Sequence, residues 1–410
     1  MPGPRVVIIG GGAAGLSAAI AAARLGVAVT LLEAGARVGR TILASGNGRC
    51  NLTNLAVSPA AYNHPEFVAP TLAAFGCEGI RTFFDGLGLL TYADEEGRIY
   101  PVTNAASSVL DVLRLGCAHL GVEERCGFEV AHMKISPGST GLEVLSRGGE
   151  SVRGDAVVVA TGGGGSLLAD VGHGWVPCVP VLGPIKTELE PIRGLSGIRV
   201  RCAASVLAGA HPGAEPLATE RGELLFRDYG VSGIMIFDLS RFLEEGCLLS
   251  IDFFPDLAPE ELQRSISQRG AAFSWQRAGT FFVGMLHPRI AQAVLRAGRI
   301  DPATPVAELP LPRLAALLKD YRLKVTGPGD AGQSQVTRGG ASVEGFDPGT
   351  MGSRQVDGLF AAGEVLDIDG RCGGFNLHWA WASGIVAGAS AAREAAARAG
   401  RPDTTTRGSA

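Results

Sequence analysis

The sequence predicts a mixed α/β protein that opens on a parallel β-α-β unit, on three observations. Four apolar residues, Val6 to Ile9, run into a glycine turn and then an Ala-rich helical stretch. Two later apolar runs, Ala156 to Ala160 and Leu359 to Ala362, also end on glycine, as buried parallel strands do. Between those two runs the pattern is β-rich, with a helical block inside it. The 410 residues include 59 Gly, about twice the usual share, yet show no triplet period, and 46% of the chain is hydrophobic. A collagen and a disordered linker are both excluded, and the length predicts two or three domains.

The opening divides into parts with separate tasks. The uncharged run from Val6 to Ala23 is long enough to imitate a signal core or a short span, but Gly10, Gly11, Gly12 and Gly15 cut it into strand, turn and helix. In Gly10-x-Gly12-x-x-Gly15 the first glycine permits the tight turn, the second lets backbone approach a pyrophosphate, and the third lets helix pack on strand. The helix N-terminus around Ala14 then offers free N–H groups and a partial positive charge to the phosphates. A second strand, Val27 to Leu32, ends on Glu33 and Ala34, where the carboxylate is placed for ribose hydroxyls.

The rest of the chain follows in order. Gly39 to Asn54 is a long Gly- and Asn-rich loop, and loops of that length are usually functional. Helical patterns cover Pro65 to Leu87 and Ala105 to Leu120, and β-like segments follow near Val122 to Leu145. Short β-branched runs from Pro177 to Phe254 suit a barrel or antiparallel sheet, Asp256 to Leu318 is helical, and Val325 to Val343 is β-rich again. The last helix is expected over Trp379 to Ala399, with a disordered tail at 401–410.

The turn alone does not separate NAD from FAD. Val157 to Gly163 (VVVATGG) resembles the strand by which two-dinucleotide-fold flavoproteins return to the FAD domain, and Gly358 to Glu364 (GLFAAGE) resembles their late motif. A long, extended FAD needs both.

With SGNGRCNLTN at Ser45 to Asn54, GRIYPVTNAASSV at Gly97 to Val109, GELLFRDYGVSG at Gly222 to Gly233 and AAGEVLDIDGRCGGFNLHWAWASG at Ala361 to Gly384, the chain resembles the HI0933-like family of bacterial NAD(P)/FAD-dependent oxidoreductases. The resemblance implies a split Rossmann-like FAD-binding domain (1–170 with 344–400), an inserted β-barrel-like domain (171–255 with 324–343) and a small helical insertion (256–323). It places Gly10, Gly12, Gly15 and Glu33 on the ADP half of FAD. Arg40, Ser45, Gly46, Asn47, Arg49, Cys50 and Asn51 fall around pyrophosphate and flavin. Thr161 and Gly162 lie on the returning turn, and Gly363, Glu364, Gly374, Phe375, Asn376 and Leu377 lie along the ribityl chain and isoalloxazine. Departures from the family pattern are Thr41 where Lys is common, Asn47 where Gly is common, His378 where Gln is common, and a shortened segment after Gly165.

For catalysis the candidates are Arg49 (a substrate carbonyl or carboxylate, or else a pyrophosphate clamp), Cys50 (a thiol beside the flavin, or a buried filler), Tyr100 (a proton donor, or core) and His378 (a flavin hydrogen bond, a base, or a helix cap). Asp367 and Asp369 read as residues that order a turn, and His173 as a weaker candidate. The expected function is hydride transfer through non-covalently bound FAD to or from a small organic molecule, with reduction of an activated C=C or C=N bond ahead of amine oxidation and NAD(P)H as a transient donor. An FAD-containing RNA-modifying factor and a flavin redox sensor stay open as alternatives.

Thirty-six Lys and Arg against 40 Asp and Glu give a net charge of -4 and no evident basic stripe, so neither nucleic acid nor membrane is an expected partner. The eight cysteines form no C-x-x-C pair and match no zinc pattern, so no metal is expected. Without a secretory leader they point to a reduced, cytoplasmic protein.

Overall fold

The computed structural model describes residues 3–135, 141–209 and 215–399. The expected disordered tail at 401–410 lies outside them. The chain forms two compact units, Met1–Val179 with Val336–Ala410, and Pro180–Gln335.

The first unit is built on a five-stranded sheet in the order Leu359–Ala361, Ala156–Val159, Arg5–Ile9, Ala28–Glu33, Glu123–Cys126, with every pairing parallel. Val6, Val7 and Ile8 at its centre are fully buried, which is why these strands read as unbroken apolar runs. From the central Arg5–Ile9 strand the chain moves one way to Ala28–Glu33 and later returns on the other side at Ala156–Val159. That reversal of direction opens a crevice at the carboxyl ends of the strands. Register aligns Ile9 with Leu32 and Val159, and Val159 with Ala361, so their following turns emerge at one edge.

Two helices pack together in this unit, Ala13–Ala23 and the 25-residue Phe375–Ala399. A Cβ on Gly384 would lie 2.4 Å from the Ala14 carbonyl oxygen, and one on Gly388 would lie 2.1 Å from that of Ala18, so the two backbones touch where side chains are missing. Trp379 and Trp381, both fully buried, satisfy their indole N–H groups on the Gly363 and Leu52 carbonyls. The closing helix starts at Phe375, four residues before the sequence pattern indicated, because Gly373 and Gly374 (φ 112 and 104) form its entry. The pattern at Pro65 to Leu87 resolves into two helices, Pro65–Ala74 and Cys77–Asp85, divided at Gly76. A small antiparallel sheet joins Thr53–Asn54, Arg98–Pro101 and Thr91–Ala93.

The second unit holds a closed six-stranded barrel of Ile185–Thr187, Gly230–Ser232, Pro216–Phe226, Arg199–Leu207, Leu248–Asp252 and Tyr321–Pro328. The helices between Pro259 and Lys319 share one buried core with it. Trp175–Val181 and Val336–Ala341, β-rich in sequence, are not barrel strands but pair with each other. Among the described residues no helix is long and apolar enough to cross a membrane.

Candidate active site

The glycine turn leaves the sheet at Gly10 (φ 105), where a Cβ would stand 2.4 Å from the Ala160 carbonyl oxygen. At Gly15 a Cβ would lie 1.8 Å from the Gly10 carbonyl oxygen, so helix and turn are in direct backbone contact. Above Gly12 the space is open as far as Thr41 Oγ1, 3.5 Å from the Cβ position. The Ala13–Ala23 helix has no side-chain cap, and its first backbone bond runs from Leu16 N–H to the Gly12 carbonyl. The N–H groups of Ala13, Ala14 and Gly15 are therefore outside the helical ladder.

Glu33 organises the rim of this turn. Its Oε2 accepts from Gly11 N–H at 2.8 Å and its Oε1 from Gly35 N–H at 2.7 Å. Each oxygen keeps a lone pair for a further donor, and exposed Ala34 follows at the strand end. The returning turn meets the same edge: Thr161 is exposed, its Cα 3.1 Å from the Cβ position of Gly10, and Gly162 is left-handed (φ 74). Glu364 accepts from Thr337 N–H, with Oε1 3.1 Å from where a Gly163 Cβ would lie. Burial pushes the Glu364 carboxyl up, against the bonds from Thr337. Turns separated by up to 350 residues of chain thus converge at one sheet edge.

The wrapping loop starts with Gly39 N–H on the Gly11 carbonyl (2.7 Å), and exposed Arg40 opens a short helix beside it. Ser45 donates its hydroxyl to the Ile42 carbonyl. Gly46 and Asn47 (φ 55 at both) and Gly48 (φ 80) then carry the chain through a left-handed stretch to buried Asn51. Asn51 Oδ1 is buried with no partner among the described residues and sits 2.7 Å from the Cβ position of Gly374. The first bond of the closing helix, His378 N–H to the Gly374 carbonyl, leaves the N–H groups of Phe375, Asn376 and Leu377 outside the ladder. A second helix N-terminus therefore faces this part of the loop.

The candidate catalytic side chains fall into two sets. Arg49 lies over Tyr100, with Cζ 4.1 Å from the ring centre, and donates to Tyr92 OH (3.1 Å) and Asn104 Oδ1 (3.2 Å), while Tyr92 donates to Asn104 at 2.7 Å. The guanidinium is held in an aromatic and amide cradle, where the sequence had favoured a pyrophosphate clamp. Burial pushes the Tyr100 phenol above its ordinary value, with Arg98 and Arg49 opposing, so it keeps its proton at neutral pH.

The second set is fully buried. Cys50 is fully buried and desolvation pushes it up to about 11, against a bond from Ser45, so it is a neutral thiol. His378 is fully buried with Nδ1 2.8 Å from Thr53 Oγ1 and Nε2 without a partner among the described residues, and desolvation lowers it to about 4, so the ring is neutral. The Asn376 side chain is spent on its own turn, accepting from Gly370 N–H and donating to the Gly370 and Arg371 carbonyls. Buried Phe375 packs edge-on against Tyr62, whose hydroxyl bonds its carbonyl. Leu377 stays half-exposed.

Asp367 accepts from Gly339 N–H and lies 3.1 Å from His64 Nε2, and buried Asp369 donates its backbone N–H to Asn63 Oδ1, so both order the turn as read from sequence. His173 is stacked on Phe346 at 4.3 Å with Nε2 on Ser353, a structural arrangement. Sequence reasoning passed over Tyr92 and Asn104. The available signal was the Asp94 to Gly97 turn, which sets Tyr92 directly across from Tyr100.

The HI0933-like protein Rossmann domain matches residues 4–390. The chain belongs to the HI0933-like family. Over 95% of its length it is 33% identical to a 3-dehydro-bile acid delta(4,6)-reductase of Clostridium scindens, 99% of which is covered. It is 30% identical to a ribosomal RNA dihydrouridine synthase of Escherichia coli, over 92% of this chain and 95% of that one. A solved 3-ketosteroid-delta4-(5alpha)-dehydrogenase from Rhodococcus jostii superposes with a TM-score of 0.47 at 16% identity, covering 95% of this chain and 97% of that one.

The residues fit FAD, the cofactor that the resemblance implies: the uncapped helix start at Ala13, the open space over Gly12 and the orphaned Asn51 oxygen suit a polar, phosphate-bearing ligand. One departure from the HI0933-like pattern has a physical reason. Asn47 replaces a common Gly because its backbone is left-handed, a region Asn tolerates better than other side chains.

Proposed function

We propose that the protein reduces a carbon–carbon double bond conjugated with a carbonyl in a small organic substrate, with NADH or NADPH as electron donor. FAD, when bound, supplies hydride transfer at N5. The observation that carries this reading is the meeting of Gly10 to Gly12, Glu33, Thr161 to Gly163 and Glu364 at one sheet edge, with the first N–H groups of both helices outside their helical ladders.

The N–H groups of Ala13 and Ala14 hold the pyrophosphate, and Glu33 accepts from the ribose. Thr161, Gly162, Gly363 and Glu364 line the ribityl chain, while Arg40, Ser45, Gly46 and Asn47 close over it. The N–H groups of Phe375 to Leu377 stabilise negative charge at the pyrimidine edge. Tyr100 delivers a proton to the carbon next to the carbonyl, Arg49 against its ring stabilises the phenolate left behind, and water restores the proton. Tyr92 and Asn104 orient Arg49. With one dinucleotide fingerprint in the chain, the nicotinamide binds transiently in the flavin cavity. Eight free cysteines suit a reducing cytoplasm.

Both relatives' names support this chemistry, since a delta(4,6)-reductase and a dihydrouridine synthase each saturate a C=C bond beside a carbonyl. The same names favour a second reading in which the reduced ring is a uracil in RNA. The test begins with the absorption spectrum of purified protein before and after acid precipitation. Anaerobic mixing with NADH and NADPH follows, and then turnover of a 4,6-dien-3-one steroid beside unmodified ribosomal RNA. Released yellow cofactor, bleached by one nucleotide and reoxidised by the steroid, is the expected result. A protein that neither carries nor takes up FAD overturns the reading, and reoxidation by RNA alone establishes the second one.

A further inference from the structure

Among the described residues of the wrapping loop, Asn51 alone buries a side-chain oxygen that has no partner, and the residue as a whole is 8% exposed. A buried acceptor left unmade carries its full desolvation penalty, so a native fold keeps one where something else brings the donor. The backbone around it is fixed. Cys50 N–H bonds the Ser45 carbonyl, Leu52 N–H bonds the Ile99 carbonyl, and the Leu52 carbonyl accepts from the Trp381 indole.

The same loop is tied to the start of the closing helix. Asn54 Nδ2 donates to the Gly373 carbonyl at 3.0 Å, and a Cβ on Gly374 would lie 2.6 Å from the Thr53 carbonyl oxygen and 2.7 Å from Asn51 Oδ1. Asn51 Oδ1 is thereby set beside the N–H groups of Phe375, Asn376 and Leu377, which stand outside the helical ladder. Gly373, Gly374, Asn376 and Leu377 are only half-buried, so a ligand can approach this corner. An acceptor next to a row of donors calls for a ligand that carries a donor next to acceptors. Phosphates offer acceptors alone and leave Asn51 unserved. Ribityl hydroxyls can donate, but each rotates, and none fixes an acceptor at its side. The pyrimidine edge of an isoalloxazine presents carbonyl, N3–H and carbonyl in one rigid plane, which matches the pattern.

We infer that Asn51 accepts the N3–H of the bound flavin, and that this bond, with the helix N–H groups on an adjoining carbonyl, fixes the plane of the ring against the closing helix. Resting on the proposed FAD site, this makes Asn51 a residue that positions the cofactor and takes no part in hydride or proton transfer. The plain alternative is a buried water bonded to Asn51.

The test is titration of the apoprotein with FAD and with FAD methylated at N3, which keeps every other group of the cofactor, bound flavin being read by fluorescence quenching. The unsubstituted protein should prefer FAD by roughly tenfold or more. Asn51→Ala should weaken FAD by about the same factor and leave the methylated flavin nearly unchanged, so that the preference disappears. Asn51→Asp, close in shape and still an acceptor, should keep the preference. Melting curves of the three apoproteins should agree, which separates loss of the bond from misfolding. Equal affinity of the unsubstituted protein for the two flavins overturns the inference and is the result that a buried water or a ribityl partner would give. A preference that survives Asn51→Ala also overturns it, because another group then faces N3. Failure of the unsubstituted protein to take up either flavin removes the FAD site itself, and this inference with it.

Discussion

Thr53 Oγ1 and His378 Nδ1 lie 2.8 Å apart in a fully buried position, on a two-residue strand and in the first turn of the closing helix. Burial depresses the imidazole to about 4, so the folded protein holds it neutral while the unfolded chain protonates it near 6.5. In that window the unfolded state binds more protons, so stability is complete above about pH 6.5 and is lost as pH falls toward 4. The loss is about 3 kcal/mol. His378→Gln, which keeps a hydrogen-bonding group toward Thr53, should remove most of that dependence. Urea midpoints at pH 7 and 4.5 test this, and parallel losses in both proteins would count against it.

Gly384→Ala should loosen the helix pair, since the new methyl meets the Ala14 carbonyl oxygen at 2.4 Å and Ser17 Oγ at 2.3 Å. Overpacking of this kind costs about 1–3 kcal/mol. The expected readout is a lower melting temperature together with easier loss of flavin on dialysis. An unchanged melting curve would show that the backbones are not in contact.

Glu33→Ala removes two acceptors, for Gly11 and Gly35 N–H, along with the carboxylate charge at the glycine turn, proposed above to meet the ribose. Charge-assisted bonds are worth about 1.5–3 kcal/mol each. FAD affinity should fall at least tenfold by titration of the apoprotein, while far-ultraviolet dichroism stays as in the parent.

Arg49→Lys keeps the charge and loses both the guanidinium contact over the Tyr100 ring and the fork to Tyr92 and Asn104. Turnover should fall about a hundredfold with FAD content intact. Tyr100→Phe should do the same if its phenol supplies the proton, and Tyr92→Phe should cost less, because Asn104 still holds the guanidinium. The reverse ranking of the two phenylalanine variants would transfer the proton donor to Tyr92.

How much of this was legible in the sequence depended on how local the cause was. Gly15 could be read because the contact that forbids its side chain, with the Gly10 carbonyl oxygen, lies within the same turn, whereas Gly10 is crowded by Ala160 at the end of a distant strand and Gly12 faces open space. The apolar strands could be read because burial on both faces leaves no polar position in the run. The start of the closing helix was hidden, since Gly373 and Gly374 look like a loop until their positive φ values turn the chain into the helix. Trp175–Val181 carries the same β pattern as the barrel strands, and a pattern does not name a pairing partner. Arg49 was picked out, but its surroundings come from a hairpin and from Asn104, itself left-handed (φ 53), and only folding brings them together.

The parallel sheet takes its edge strand from Leu359–Ala361, and the first helix packs on one that starts at Phe375. A ribosome that has made the first 180 residues has made the phosphate turn but not the elements that complete its domain. The barrel unit, Pro180–Gln335, is continuous in sequence and can assemble while synthesis continues. Cofactor capture is thereby deferred to the end of translation, and a chain truncated before its last helix is born without a prosthetic group.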